Sequence, residues 1–173
     1  MQILSVIDTI SRWFAGLGAL LVCGIAALII AEVVARSTFG ASLSFAWEYA
    51  AYFYASAVFL GAAYTMRTGG HVRVALLRGL LSKRGQHIME IAATAVGTLF
   101  SFYLAYALIQ FAYRSFSRGS TSPTIDETPL VIPQGVLALG ATLLALQMVA
   151  RLVRLFIDEA PEDDATREKF TVE

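Results

Sequence analysis

The chain has 173 residues, 57% of them apolar and 15% charged, and its thirteen acidic and thirteen basic side chains cancel. Soluble domains are about 45–50% apolar, so this composition indicates a membrane protein. Four charge-free stretches, each 18 to 23 residues long, lie at residues 13–31, 49–66, 91–113 and 128–150. A bilayer core about 30 Å thick needs about 20 apolar residues for each helical crossing. The composition therefore predicts four membrane-spanning helices and excludes a separate soluble catalytic domain.

We predict an all-α, four-transmembrane-helix membrane protein with a single domain over residues 1–157. Its helices are expected at about residues 12–36, 45–67, 87–113 and 131–156. The first charge-free stretch is longer than the apolar part of a typical secretory signal, so it is expected to remain as a membrane anchor. Seven of the thirteen acidic residues lie in the segment 158–173, which is expected to be a solvated cytoplasmic tail.

Lysine and arginine predict the orientation, because positively charged loops are retained on the cytoplasmic side. The connector between the second and third helices carries five basic residues: Arg67, Arg73, Arg78, Lys83 and Arg84. The two other connectors together carry three: Arg36, Arg114 and Arg118. We therefore expect both chain termini to lie in the cytoplasm.

Small side chains at every fourth position of the third helix predict a helix-packing face. Lipid provides no hydrophobic drive between helices, so membrane helices associate through close backbone approach at such residues. The face consists of Ala93, Gly97, Ser101 and Ala105. Packing within the protein and contact with a partner subunit both fit this pattern.

Three charged residues lie near the predicted outer end of the first two helices. Glu32 and Arg36 are four residues apart, so they can pair on one face of the first helix. Glu48 opens the second helix on the same side, next to Trp47, which is placed as an interfacial aromatic anchor. A structural ion pair, a subunit contact and a proton or substrate site are three interpretations of these charges.

No residue pattern points to catalysis, to a metal or to a cofactor. His71 and His87 lie in or beside the positive connector, away from the middle of the predicted helices. The single cysteine, Cys23, excludes an intrachain disulfide and a cysteine metal cluster, and is expected to be a buried structural thiol. No phosphate-binding G-x-x-x-x-G-K-[ST] loop occurs. We therefore expect neither an enzyme, nor a substrate site in this chain, nor a nucleic-acid partner.

The connector after the second helix is expected to hold a short interfacial helix on the cytoplasmic side, at about residues 72–82. Gly69 and Gly70 end the preceding helix and allow a sharp turn. The segment beyond them mixes leucine and valine with arginine, as a helix in the headgroup layer does. Arg73 falls near its apolar face and must snorkel to the surface or find a partner. Attraction to anionic membrane lipids and contact with another subunit both fit this segment.

Four motifs follow one another between residues 32 and 77. They are Arg36 at the end of the first helix, Trp47-Glu48 at the start of the second, Phe-Leu-Gly at 59–61, and Gly-His-Val-Arg-Val at 70–74. In this order and spacing the chain resembles the small membrane subunit, of the Q or DctQ type, of tripartite ATP-independent periplasmic (TRAP) transporters. An acidic residue commonly follows the last motif in that family, and Ala75 stands there in this chain.

The later half of the chain resembles that family only in length, in hydropathy and in the Ile132-Pro133 step. The resemblance implies an accessory scaffold subunit in the bacterial inner membrane. Such a subunit braces a larger elevator-type membrane subunit in sodium-driven, ATP-independent uptake of an organic anion, of the carboxylate or sialic-acid type. A periplasmic substrate-binding protein is the third component. Candidate partner-interface or structural ion-pair residues are Glu32, Arg36, Trp47, Glu48, Arg67, His71 and Arg73.

Two other hypotheses remain open from the sequence. A self-contained dimeric four-helix antiporter would exchange protons through a membrane glutamate, either Glu32 or Glu48. Both glutamates lie toward the outer end of their helices, whereas a proton carrier is expected deep among the helices. A purely structural or assembly protein without a transporter partner is the third hypothesis.

Overall fold

The computed structural model describes residues 2–68 and 83–157, and the regular structure in this part of the chain is helical. Its four helices are α1 (Gln2–Phe39), α2 (Ala46–Arg67), α3 (Lys83–Arg118) and α4 (Val131–Phe156). An isolated β-bridge joins Thr121 to Pro129 in the α3–α4 connector. The prediction of an all-α protein is confirmed. The predicted interfacial helix at 72–82, with His71 and Arg73, and the acidic tail at 158–173 lie outside the described residues.

Three of the helices, α1, α3 and α4, are long and apolar enough to cross a membrane. The fourth, α2, has 22 residues and therefore extends over about 33 Å, enough for a crossing. Its charge-free stretch has a lower hydropathy than the most apolar stretches of the other three, and it contains four tyrosines, Tyr49, Tyr52, Tyr54 and Tyr64. A membrane crossing by α2 stays a prediction.

Two helices are longer than expected from their charge-free stretches. α1 begins at Gln2 rather than near residue 12, and α3 runs from Lys83 to Arg118 rather than from 87 to 113. The added first turns of α1 contain Asp8 and Ser11, and both side chains are buried against the rest of the protein. Tertiary contacts therefore stabilise helix beyond the apolar stretch.

The helices are arranged as a layer in the order α1, α2, α4, α3. α1 packs on α2, α2 packs on α4, and α4 packs on α3, while α1 touches α4 to a smaller extent. α1 and α3, at the two edges, have at most marginal contact with each other. Within the described residues, α4 is thus the helix that contacts all three others, and the layer stays open between α1 and α3.

The middle of this layer depends on close backbone approach at glycine and alanine. A Cβ atom added to Gly140 of α4 would lie 2.7 Å from the carbonyl oxygen of Phe59 in α2, closer than side chains are found. A Cβ added to Gly18 of α1 would lie 3.1 Å from the carbonyl oxygen of Ala57. Ala63 of α2 and Ala141 of α4 are completely buried. Small residues therefore set the distances from α2 to both of its neighbours.

The predicted small-residue face of α3 meets α4 at three of its four positions. Ser101 and Ala105 are buried, and a Cβ added to Gly97 would lie 2.5 Å from Cε of Met148. Ala93 is exposed, and Thr94 is buried instead. Every four-residue step turns about 40° past a full helical turn, so three such steps rotate Ala93 about 120° away from Ala105. The face follows a mixed three- and four-residue spacing, as packed helices do.

We predict that Gly140→Ala destabilises the protein by about 1–3 kcal/mol, because the new methyl group forces α2 and α4 apart. The measurement is thermal or denaturant unfolding of the purified protein in detergent. Gly135→Ala is the matched control, since a Cβ there meets no atom within 4 Å and alanine has the higher helix propensity. Equal stability of the two variants would contradict the proposed close contact.

Candidate functional site

Glu32 joins the end of α1 to the α1–α2 turn. Its Oε1 atom accepts hydrogen bonds from Nη2 of Arg36 and from Oγ of Ser42, the latter at 2.8 Å. Its Oε2 atom accepts the backbone N–H of Leu43 at 2.5 Å. Gly40, with φ of +64°, allows the reversal after α1 that returns the chain to this carboxylate. The i, i+4 pair expected from the sequence is therefore one part of a cap that holds the turn.

Glu48, in the first turn of α2, joins that helix to the α3–α4 connector. Its Oε1 atom accepts the hydroxyl of Tyr52 at 2.5 Å, and its Oε2 atom accepts the hydroxyl of Thr124. The neighbouring Tyr49 hydroxyl lies 3.3 Å from Oγ1 of Thr128 in the same connector. Glu48 thus makes its contacts with hydroxyl groups, and the structure does not join it to the Glu32–Arg36 pair.

Neither glutamate presents an open carboxylate among the described residues. Glu32 is 5% exposed, and both of its oxygens accept hydrogen bonds from the same chain. Both oxygens of Glu48 likewise accept hydroxyl groups. A proton carrier needs a carboxylate that is reached from both sides of the membrane at different times. These contacts favour a structural role for both residues.

Arg36 and Trp47 lie together on a groove between α1 and α2, at the same end of the layer as the α1–α2 turn. We call it the α1–α2 groove; it has a volume of about 390 Å³. Its lining residues are Ile29, Glu32, Val33, Arg36, Ser37, Ala46, Trp47 and Ala50. The Trp47 side chain is 71% exposed. This groove brings together three of the candidate residues, Glu32, Arg36 and Trp47.

A buried charge cluster lies at the opposite end of the layer, around Asp8. The Asp8 carboxylate is 2.6 Å from Nη2 of Arg154 in α4 and 3.2 Å from Nη2 of Arg67 in α2. Its Oδ1 atom accepts the side-chain amide of Gln147 at 3.0 Å. Asp8 is 6% exposed and Gln147 is 1% exposed. One carboxylate therefore ties three helices together.

The third helix is tied to the same end of the layer by a second ion pair. Nη2 of Arg151 in α4 lies 3.0 Å from Oε1 of Glu90 in α3. Gln147, Arg151 and Arg154 follow one another at four- and three-residue spacing on α4, so they project from one side of that helix. α4 thus supplies Gln147, Arg151 and Arg154 to this end of the layer, and α2 supplies Arg67.

Sequence reasoning placed Arg67 among the ion-pair candidates and missed its partner. Asp8 precedes the first charge-free stretch. Arg12 is the one oppositely charged residue three or four positions from it in the sequence. The sequence did contain a signal for a polar contact here. Asp8 and Ser11 are three positions apart, so they lie on one face of a helix whose other residues show apolar periodicity. Arg151 and Arg154 are not among the ion-pair candidates predicted from the sequence.

Two further expectations from the sequence concern the burial of Cys23 and the binding of metal ions. Cys23 is exposed on the surface of α1, so the expectation of a buried thiol is wrong. α1 lies at the edge of the layer and therefore contacts the protein along one side only. Within residues 2–68 and 83–157, no group of three or more histidine, cysteine or acidic side chains is placed to hold a metal ion.

We predict that Asp8→Asn lowers the unfolding free energy by about 3 kcal/mol, because it removes the negative charge of a buried carboxylate that two largely covered arginines share. Unfolding of the purified protein in detergent, followed by circular dichroism, gives the value. Asp126→Asn, a matched change at an exposed position in the α3–α4 connector, is expected to change stability by less than about 0.5 kcal/mol. A loss for Asp8→Asn no larger than this control refutes a stabilising role for the charge cluster around Asp8.

We predict that Glu48→Ala accelerates amide hydrogen exchange in the α3–α4 connector about tenfold, because hydrogen bonds to a charged group contribute about 1.5–3 kcal/mol. The informative amides are those of Ser122 and Leu130, which bond to the carbonyl groups of Thr128 and Ser120. Exchange followed by mass spectrometry measures them, with Asp126→Asn as the control. Unchanged exchange would show that the connector holds its shape without Glu48.

Comparison with known proteins gives consistent matches. The family model of the DctQ component of tripartite ATP-independent periplasmic transporters matches residues 25–158. The ectoine TRAP transporter small permease protein TeaB of Halomonas elongata is 29% identical over 143 residues, covering 80% of this chain and 74% of that protein. The likeness found in residues 32–77 thus extends over α2, α3 and α4, and over the part of α1 from residue 25 onward, which carries Glu32.

Proposed function

The chain belongs to the DctQ component family of tripartite ATP-independent periplasmic (TRAP) transporters, and we propose that it is the scaffold subunit of a sodium-driven symporter for an organic anion. In this proposal a larger elevator-type membrane subunit carries the substrate and the sodium ions. A periplasmic binding protein delivers a carboxylate or a sialic acid to it. The chain described here supports the larger subunit from the side and binds no substrate.

The observation that carries this proposal is where the ionisable side chains lie. Their contacts are at the two ends of the layer, around Asp8 at one end and around Glu32 and Glu48 at the other. The middle is held by glycine and alanine, with buried hydroxyl groups such as Ser101 bonded to their own helix. A transport path needs polar groups near mid-depth. A layer tied at both ends and closely packed between them is suited to static support.

The layer also offers wide apolar surfaces to a partner. Among the described helices α3 packs extensively only on α4, and its remaining surface is apolar and rich in aromatic residues. Exposed side chains there include Leu99, Phe100, Tyr103, Tyr106, Tyr113 and Phe116. Such a surface needs lipid or another membrane subunit against it.

The proposal includes four crossings, with both termini in the cytoplasm. α2 packs between α1 and α4, each of which is apolar enough to span, and it reaches from the Glu32 end of the layer to the Asp8 end. It therefore has the same depth in the membrane as its neighbours. The Asp8 end carries Arg67, Arg151 and Arg154, and positive charge favours the cytoplasmic side. The segment 72–82, with His71 and Arg73, remains a predicted contact with lipid or with the larger subunit.

We expect affinity purification of this chain from its native membrane, in mild detergent, to recover a much larger multi-pass protein in about equal amount. Mass spectrometry identifies whatever remains bound. Recovery of the chain alone, as a dimer, contradicts the scaffold proposal and favours the proton antiporter.

Uptake by the recovered complex in vesicles, with and without a sodium gradient, tests the driving ion. A less stable complex or a lower transport rate, without change in substrate preference, is expected for Glu48→Ala and not for Asp126→Asn.

A further inference from the structure

The α1–α2 groove has the chemistry of an amphipathic ligand site. Its body is apolar, formed by Ile29 and Val33 of α1 and by Trp47 and Ala50 of α2. Arg36 and Ser37 line the groove one helical turn beyond Val33. With about 390 Å³ of space, the groove lies within the range of small-molecule sites.

The apolar and charged parts follow one another along the helix axis. Ile29, Val33 and Arg36 are successive turns of α1, so about 10 Å separates the deepest apolar residue from the arginine. Arg36 lies in the last turn of α1 and Trp47 in the first turn of α2, at the edge of the apolar stretches. The charge therefore sits at headgroup depth and the apolar wall extends toward the bilayer interior.

Arg36 is held in place and is still accessible. Its Nη2 atom donates to Glu32 and, at 3.4 Å, to Oγ of Ser42. The side chain is 59% exposed, whereas that of Glu32 beneath it is 7% exposed. The buried carboxylate, which also accepts the N–H of Leu43, fixes the guanidinium and stays covered. The outer edge of the guanidinium remains open to a further acceptor.

We infer that the α1–α2 groove binds one phospholipid from the adjacent leaflet, with its phosphate on Arg36 and one acyl chain along Ile29, Val33 and Trp47. Arginine binds phosphate oxygens through parallel N–H groups, and tryptophan rings favour the headgroup boundary. The order of charge and apolar wall along the groove matches the order of phosphate and acyl chain in a phospholipid. An apolar helix of another subunit has no acceptor for the exposed guanidinium, so the lipid is the better fit.

Native mass spectrometry tests this inference on the full chain, extracted with its native partners and titrated with dioleoylphosphatidylglycerol. Val33→Trp fills the groove, and Val34→Trp is its control, because Val34 is similarly exposed and does not line the groove. Arg36→Gln removes the phosphate contact, and Arg114→Gln is its control on the exposed surface of α3. Arg36→Lys keeps a positive charge. Circular dichroism confirms that each variant folds.

The expected result is one tightly retained lipid per chain in the unaltered protein and in both control variants. Arg36→Gln is expected to weaken retention about tenfold, the effect of losing one charge-assisted hydrogen bond, and Arg36→Lys to recover part of it. Val33→Trp is expected to weaken retention at least as much, because the indole ring occupies the space of the acyl chain. Equal lipid retention by the groove variants and their controls overturns the inference and indicates only annular lipid. Loss of the larger subunit from Val33→Trp, with no change in bound lipid, also overturns it and makes the groove a protein interface.

Discussion

Close backbone contact between α2 and α4 is the constraint on which the rest of this structure depends. Lipid supplies no hydrophobic drive for helix association, so contact distance and polar bonds must hold the layer. At Gly140 the two helices approach so closely that even a methyl group does not fit against Phe59. Because α4 also contacts α1 and α3, this approach sets the position of every other helix.

Polar contacts then stabilise the two ends of the layer. At one end, the Asp8 carboxylate of α1 binds arginines of α2 and α4 and so joins three helices. Glu90 joins the fourth helix, α3, to α4 through a separate ion pair. At the other end, Glu32 holds the α1–α2 turn and Glu48 holds the α3–α4 connector. A buried charge is strongly destabilising when its partner is lost, so each of these contacts favours a single arrangement of helices. In the apolar middle of the layer, close contacts at glycine and alanine hold the helices together without charged groups.

This division suits the proposed scaffold role. A subunit that supports a moving partner has to keep its own shape, and a layer bonded at both ends and packed through glycine and alanine in the middle has few ways to deform. The open edge between α1 and α3 leaves large apolar surfaces for lipid and for a partner. The α1–α2 groove adds a place where lipid and protein meet at headgroup depth.

The sequence alone determined the features that depend on local order along the chain. Length and hydropathy of the charge-free stretches specify the helices, the four-residue spacing of Glu32 and Arg36 specifies their pairing, and the motifs between residues 32 and 77 specify the family. Each of these signals is read from residues near one another along the chain, so it does not depend on which helices pack together.

Only the tertiary structure decided which helices are neighbours and which polar groups meet. Asp8 and Arg154 are separated by 146 positions, and Glu48 and Thr124 by 76, and no periodicity relates such pairs. The side of α3 that faces α4 also depended on packing, because a strict four-residue stripe rotates around a helix with 3.6 residues per turn. Thr94 is therefore buried where the stripe predicted Ala93. Contacts between distant segments depend on the order of the helices in the layer, and that order is a property of the folded chain.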